Sequence, residues 1–147
     1  MKSLSRPDFE NGRLLLVDCD ERTLASLHKS LRRLGITAEA VAADTLPALD
    51  GCFAAIVELE HFASPATLAR LEAAGVPLIA LTAHETLSQI QRAIELGVTA
   101  LLNKPITQGS VYTTLMMAIG LRARLAEANR QQAALARRVE AGPLLAR

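Results

Sequence analysis

Two aspartates, Asp18 and Asp20, bracket Cys19; two glutamates, Glu58 and Glu60, bracket Leu59; Thr82 and the pair Lys104-Pro105 follow further on. No Gly-rich phosphate loop, Ser-His-Asp set or paired-carboxylate arrangement is identifiable among them. A lysine can pair with an anion, a threonine hydroxyl can donate to one, and a thiolate can attack an electrophile. Each group stands at or just beyond the end of a short apolar run: Arg13–Asp18, Cys52–Glu58, Pro77–Thr82 and Val98–Leu102. Runs of this kind read as strands buried on both faces.

The intervening segments read as helices. Asp20 can cap a helix over Glu21–Leu34, with Leu24, Leu27, Leu31 and Leu34 on one face and Gly35 after its end. Ile36–Val41 is a second, shorter strand, and Asp44 can cap a small helix closed by Gly51. Ser64-Pro65 starts a helix that ends at Gly75. Thr86–Leu96 presents Leu87, Ile90, Ala93 and Ile94 and ends at Gly97. Alternation of this kind predicts an α/β fold, a doubly wound, five-stranded parallel sheet of flavodoxin-like order 2-1-3-4-5. Sites in such sheets lie beyond the carboxyl ends of the strands, where the groups named above collect.

From about Ser110 the chain reads as one extended C-terminal helix, too long for a compact domain. Ala118, Leu125, Gln132 and Val139 are spaced by sevens, and Leu121, Ala128 and Leu135 form a second line. This seam, Ala118, Leu121, Leu125, Ala128, Leu135 and Val139, fits a weak helical homodimer or a single helix packing on its own domain. The expected organisation is a lead-in over 1–12, a domain over 13–120, a helical extension with a coiled-coil seam over 121–141, and a tail, or the start of a further domain, over 142–147.

Composition narrows the function classes. Half the residues are hydrophobic, aromatics are 3%, and the formal net charge is +1. Stacking platforms for bases and a strong electrostatic footprint for nucleic acid or membrane are therefore lacking. The arginine excess after residue 120 reads as a solvated helix face. No segment reads as a signal peptide or a membrane span, so a cytoplasmic protein with reduced thiols is expected. Cys19 and Cys52 fall at opposite ends of neighbouring strands, too far apart to bridge. His28, His61 and His84 lack ligand spacing and read as surface or loop residues. An enzyme using Cys19 as nucleophile, its thiol acidified by the following helix, is the reading from another class; no base or oxyanion donor can be named for it. The chain is therefore read as no enzyme.

Over about residues 12–120 the chain resembles the response-regulator receiver family. The resemblance rests on Leu-Leu-Leu-Val-Asp-Cys-Asp (14–20), on Leu81-Thr82-Ala83 and on Lys104-Pro105. It implies a pocket in which acidic side chains hold Mg²⁺, an aspartate at the end of the third strand accepts a phosphoryl group, a lysine pairs with that group and a hydroxyl follows it. Asp18 keeps one acid, Cys19 replaces its partner, Asp20 lies one residue too far on, and Leu59 falls at the acceptor position. Lys104 is expected to pair with Asp18. Glu58 and Glu60 alternate away from Leu59. A slip of one residue would bring either into the pocket as a fixed negative charge. The resemblance thus implies a degenerate receiver without cofactor or metal, controlled by a sensor or regulator protein. The alternative is a phospho-accepting receiver in shifted register, with Mg²⁺ on Asp18 and Asp20.

A narrower resemblance is to the N-terminal half of ANTAR-type antitermination regulators, the aliphatic amidase and nitrate-assimilation type. It is carried by Thr86-Leu-Ser-Gln-Ile-Gln, the chain after Lys104-Pro105, and Arg124–Glu140. It implies a homodimer that reaches RNA only through a domain absent from this chain.

Overall fold

The computed structural model describes residues 12–60, 65–84 and 86–146, with side chains to Arg138. The strands are β1 (Arg13–Val17), β2 (Ala38–Val41), β3 (Cys52–Glu58), β4 (Leu78–Thr82) and β5 (Ala100–Asn103). The helices are α1 (Glu21–Arg33), α2 (Pro65–Ala73), α3 (Leu87–Glu95) and α4 (Gln108–Ala146). All neighbouring strands are parallel, in the expected order β2-β1-β3-β4-β5.

Alternation within the apolar runs divides the core. Leu14, Leu16, Ile56, Ile79 and Leu81 face α1 and α4, where they meet Leu27, Leu31, Val111, Leu115 and Ala118. Leu15, Val17, Ala55, Val57 and Leu78 face the other way, onto Leu68 and Leu71 of α2. Sequential residues point to opposite sides and find cover on both, which is why the runs show no polar alternation. The parallel register brings the ends of β1, β3, β4 and β5 to one edge.

Several local expectations change. Only a 3-10 turn, Ala43–Thr45, forms where a helix capped by Asp44 was expected; Pro47 has no amide to extend it. Strand β5 starts at Ala100, because Thr99 is tied to Leu78 through both its backbone amide and its hydroxyl. On α3 only Ala93 is buried, whereas Leu87 and Ile94 are 72% and 69% exposed. The small Ala93 lets the helix lie close to Leu59 and Ala80 and turns the larger residues outward. Helix α4 passes through Gly120 and continues to Ala146, across the boundary expected between the extension over 121–141 and the tail over 142–147. Ser64 and His61 lie outside the described residues.

Candidate functional site: the carboxyl ends of the strands and the face of α4

At the end of β1 the backbone of Asp18 turns into the left-handed region, φ 58°, which aspartate tolerates better than most side chains. Its Oδ1 accepts from Ala43 N at 3.0 Å, so this carboxylate holds the turn after β2. Asp20 caps α1, its Oδ1 accepting from Thr23 N at 2.8 Å. Between them Cys19 lies partly buried, its Sγ 3.7 Å from Val17 O. Burial, reinforced by the negative charge of Glu58, pushes this thiol up to about 12. The expected acidification is corrected: packing against the core outweighs the helix N-terminus.

The expected pairing of Lys104 with Asp18 is also corrected. Lys104 Nζ lies 2.8 Å from Glu58 Oε1. The Glu58 side chain is 0% exposed and that of Lys104 22%. Among the described residues no hydrogen-bond donor other than this ammonium reaches Oε1. Burial opposes the lysine's charge, but the hydrogen bond and charge of Glu58, with Glu60 and Asp20, outweigh it and raise its pKa. Leu59 points to the other side and packs on Ala80 and Ala93. Alternation at the end of β3 therefore presents Glu58, not Leu59, to the lysine.

Glu60 turns toward the β4–α3 loop. Its Oε1 accepts from His84 Nδ1 at 2.7 Å and from Ala83 N at 3.2 Å, while its own amide donates to Glu58 Oε2 at 3.3 Å. The His84 bond holds its carboxyl below the ordinary value against the opposing effect of burial, helped by Ala83 N–H and the charges of Lys104 and His84. Thr82 is buried, and its hydroxyl donates to His84 O and accepts from His84 N, both at 3.1 Å. Lys104 N donates to Thr82 O at 2.9 Å, just before a cis Lys104-Pro105 bond.

These donors do not suit Mg²⁺. One carboxylate is bound to an amide, one caps a helix, one carries the lysine, one holds the β4–α3 loop, and the remaining side chain is a protonated thiol. Among the described residues no group of three or more His, Cys, Asp or Glu side chains is placed to hold a metal ion. No helix is long and apolar enough to cross a membrane among the described residues.

The second region is α4, 39 residues or about 58 Å long. Val111, Leu115 and Ala118 pack into the domain, which removes Ala118 from the expected seam. The other described seam members, Leu121, Leu125, Ala128 and Leu135, are exposed, and exposed Met117 continues their line toward the domain. At 100° per residue these five fall within about 80° of arc, over about 27 Å of helix. The side chain of Val139 lies outside the described residues. Around the helix from this stripe, Arg122 donates to Glu72 O at 3.3 Å and Gly75 O at 3.4 Å, capping the end of α2. Glu72 O also accepts from Gly75 N at 2.9 Å, so Arg122 closes the turn that follows the helix.

Sequence reasoning put His84 in a loop and Arg122 on a helix face but foresaw the partner of neither. Neither has a spacing motif, because each meets its partner across more than twenty residues of chain.

Solved receiver domains share this architecture. The signal receiver domain of an HD domain-containing protein from Pseudomonas fluorescens Pf-5 is 25% identical, with a TM-score of 0.63 over 78% of this chain and 98% of that one. The chemotaxis response regulator CheY4 of Vibrio cholerae is 18% identical, with a TM-score of 0.60 over 73% and 98%. Full-length FixJ from B. japonicum is 22% identical, with a TM-score of 0.64 over 88% and 68%. No curated protein matches the chain. The family described as AmiR, N-terminal, matches residues 13–119, from the first residue of β1 to just past Ala118, and the chain belongs to that family.

Proposed function

We propose that this chain is a receiver that no longer accepts a phosphoryl group and that regulates transcription antitermination through protein contact. The observation that carries the reading is the Glu58–Lys104 pair. The lysine that would neutralise an incoming phosphoryl group is already neutralised by a buried carboxylate. The side chain that faces the lysine is a glutamate, while Asp18 and Asp20 are bonded to Ala43 N and Thr23 N. The pocket is a set of structural bonds, and we assign it neither an enzymatic role nor a cofactor.

The output would pass through α4. Its exposed stripe suits a second copy of the chain, in a weak coiled coil interrupted by Gln132. A sensor protein would hold or release this pair in the cytoplasm. RNA would be contacted by a domain C-terminal to this chain, as the antitermination regulators imply. Sedimentation velocity at tens of micromolar, with and without acetyl phosphate and Mg²⁺, tests the proposal. A dimer whose population ignores the phosphodonor is expected. A monomer throughout, or a population that shifts with the phosphodonor, would sink it.

A further inference from the structure

The polar groups at the strand ends form a closed circuit. From Lys104 it runs through the ammonium to Glu58, through Oε2 to the amide of Glu60, and through the Glu60 carboxylate to Ala83 and His84. From His84 it passes to the Thr82 hydroxyl, and Thr82 O accepts from the Lys104 amide. Three strands and the β4–α3 loop are thereby joined. Glu60 is the one side chain in the circuit that reaches from the β3 end to the loop. Two residues past His84, Thr86 caps α3, its hydroxyl accepting from Gln89 N at 3.3 Å. The first turn of α3 carries Leu87, and two turns on stands Ile94, both turned to solvent.

We infer that Glu60 is a positioning residue that locks the β4–α3 loop in one conformation and so fixes where α3 presents Leu87 and Ile94. In a switched receiver this loop would have to move with the bound group. Here a carboxylate supplied by the neighbouring loop holds it, and Thr82 is turned inward onto the same loop. The lock rests on reading the pocket as closed by the Glu58–Lys104 pair, and it adds to that reading a specific tether between pocket and helix.

Amide hydrogen exchange on the full chain tests the lock. Glu60→Ala is expected to speed exchange at Ala83, His84, Gln89 and Ile90 by about tenfold or more, the loss of a charge-assisted bond. Amides of β1 and α1 should stay within about twofold of their original rates. Glu60→Gln keeps an oxygen for Ala83 N and should fall between. His84→Ala, at a side chain 71% exposed, should reproduce much of the effect without threatening the fold. Unchanged exchange in the loop of Glu60→Ala, or an equal rise across the whole sheet, would overturn the inference. The outcome is separable from the non-phosphorylated reading: phosphoryl uptake, read by intact mass, would end that reading and leave the exchange result standing.

Discussion

The strand ends and the outer face of α4 satisfy their side chains in opposite ways. At the strand ends Asp18, Asp20, Glu58, Glu60, Thr82 and Lys104 all bond within the chain. On α4, Leu121, Leu125 and Leu135 remain 40%, 51% and 56% exposed. The polar region resembles an active site by composition, yet its groups are engaged in holding loops and helix ends. The apolar region resembles an ordinary helix surface, yet its large side chains fall on one stripe. A group already satisfied within the fold has little left to offer a ligand, while exposed apolar area favours association. On the proposed reading, the working surface of this molecule is the helix.

The comparison breaks most sharply at Lys104. Lys104→Ala would leave the Glu58 carboxylate buried and unpaired and should destabilise the domain by about 3 kcal/mol or more in urea unfolding. Glu58→Leu with Lys104→Met should recover most of that loss, because both charges go together. A small effect of Lys104→Ala alone would mean that the pair is not closed as described.

Next in size is a contrast within the heptad pattern. Ala118→Asp should unfold the domain, since position 118 is buried against the sheet. Leu125→Lys, one heptad on, should leave urea stability within about 0.5 kcal/mol for the monomer and abolish self-association by sedimentation. If both variants acted alike, α4 would not divide into an inner and an outer face.

A smaller effect belongs to Glu60. Its folded pKa lies below the unfolded value, so its bonds add stability that is fully present above the ordinary carboxylate range. That stability is lost as pH falls through the lowered folded value. His84→Ala should flatten this part of the acid limb in thermal melts taken from neutral pH down through and below the ordinary carboxylate range. The least perturbing probe is alkylation near pH 8. Cys19, with its pKa pushed up to about 12, should react far more slowly in the folded protein than in urea. Rapid selective labelling of Cys19 would reopen the nucleophile reading.

The sheet was legible because buried parallel strands need unbroken apolar runs, and helix ends here fall at Gly35, Gly75 and Gly97. Pocket members could be named because topology brings strand ends together, but their pairing could not. Asp18 and Glu58 are both acids near Lys104 in any such fold. Which one pairs depends on the left-handed turn at Asp18, which sends its carboxylate to Ala43. Which of the apolar residues of α3 would be buried was not legible, because Leu87, Ile90, Ala93 and Ile94 share one pattern and only Ala93 is buried. The exposed stripe on α4 follows the spacing, except at Ala118, which is buried and whose small side chain fits either a domain core or a coiled coil.

Intact-mass spectrometry after incubation with acetyl phosphate and Mg²⁺ tests the central claim most directly, with a receiver that retains its aspartate run in parallel. The expected result is no added mass on this chain while the control gains one phosphoryl group. A single phosphoryl gain, removed by mild base, would contradict the account and show that the Glu58–Lys104 pair opens to admit the chemistry.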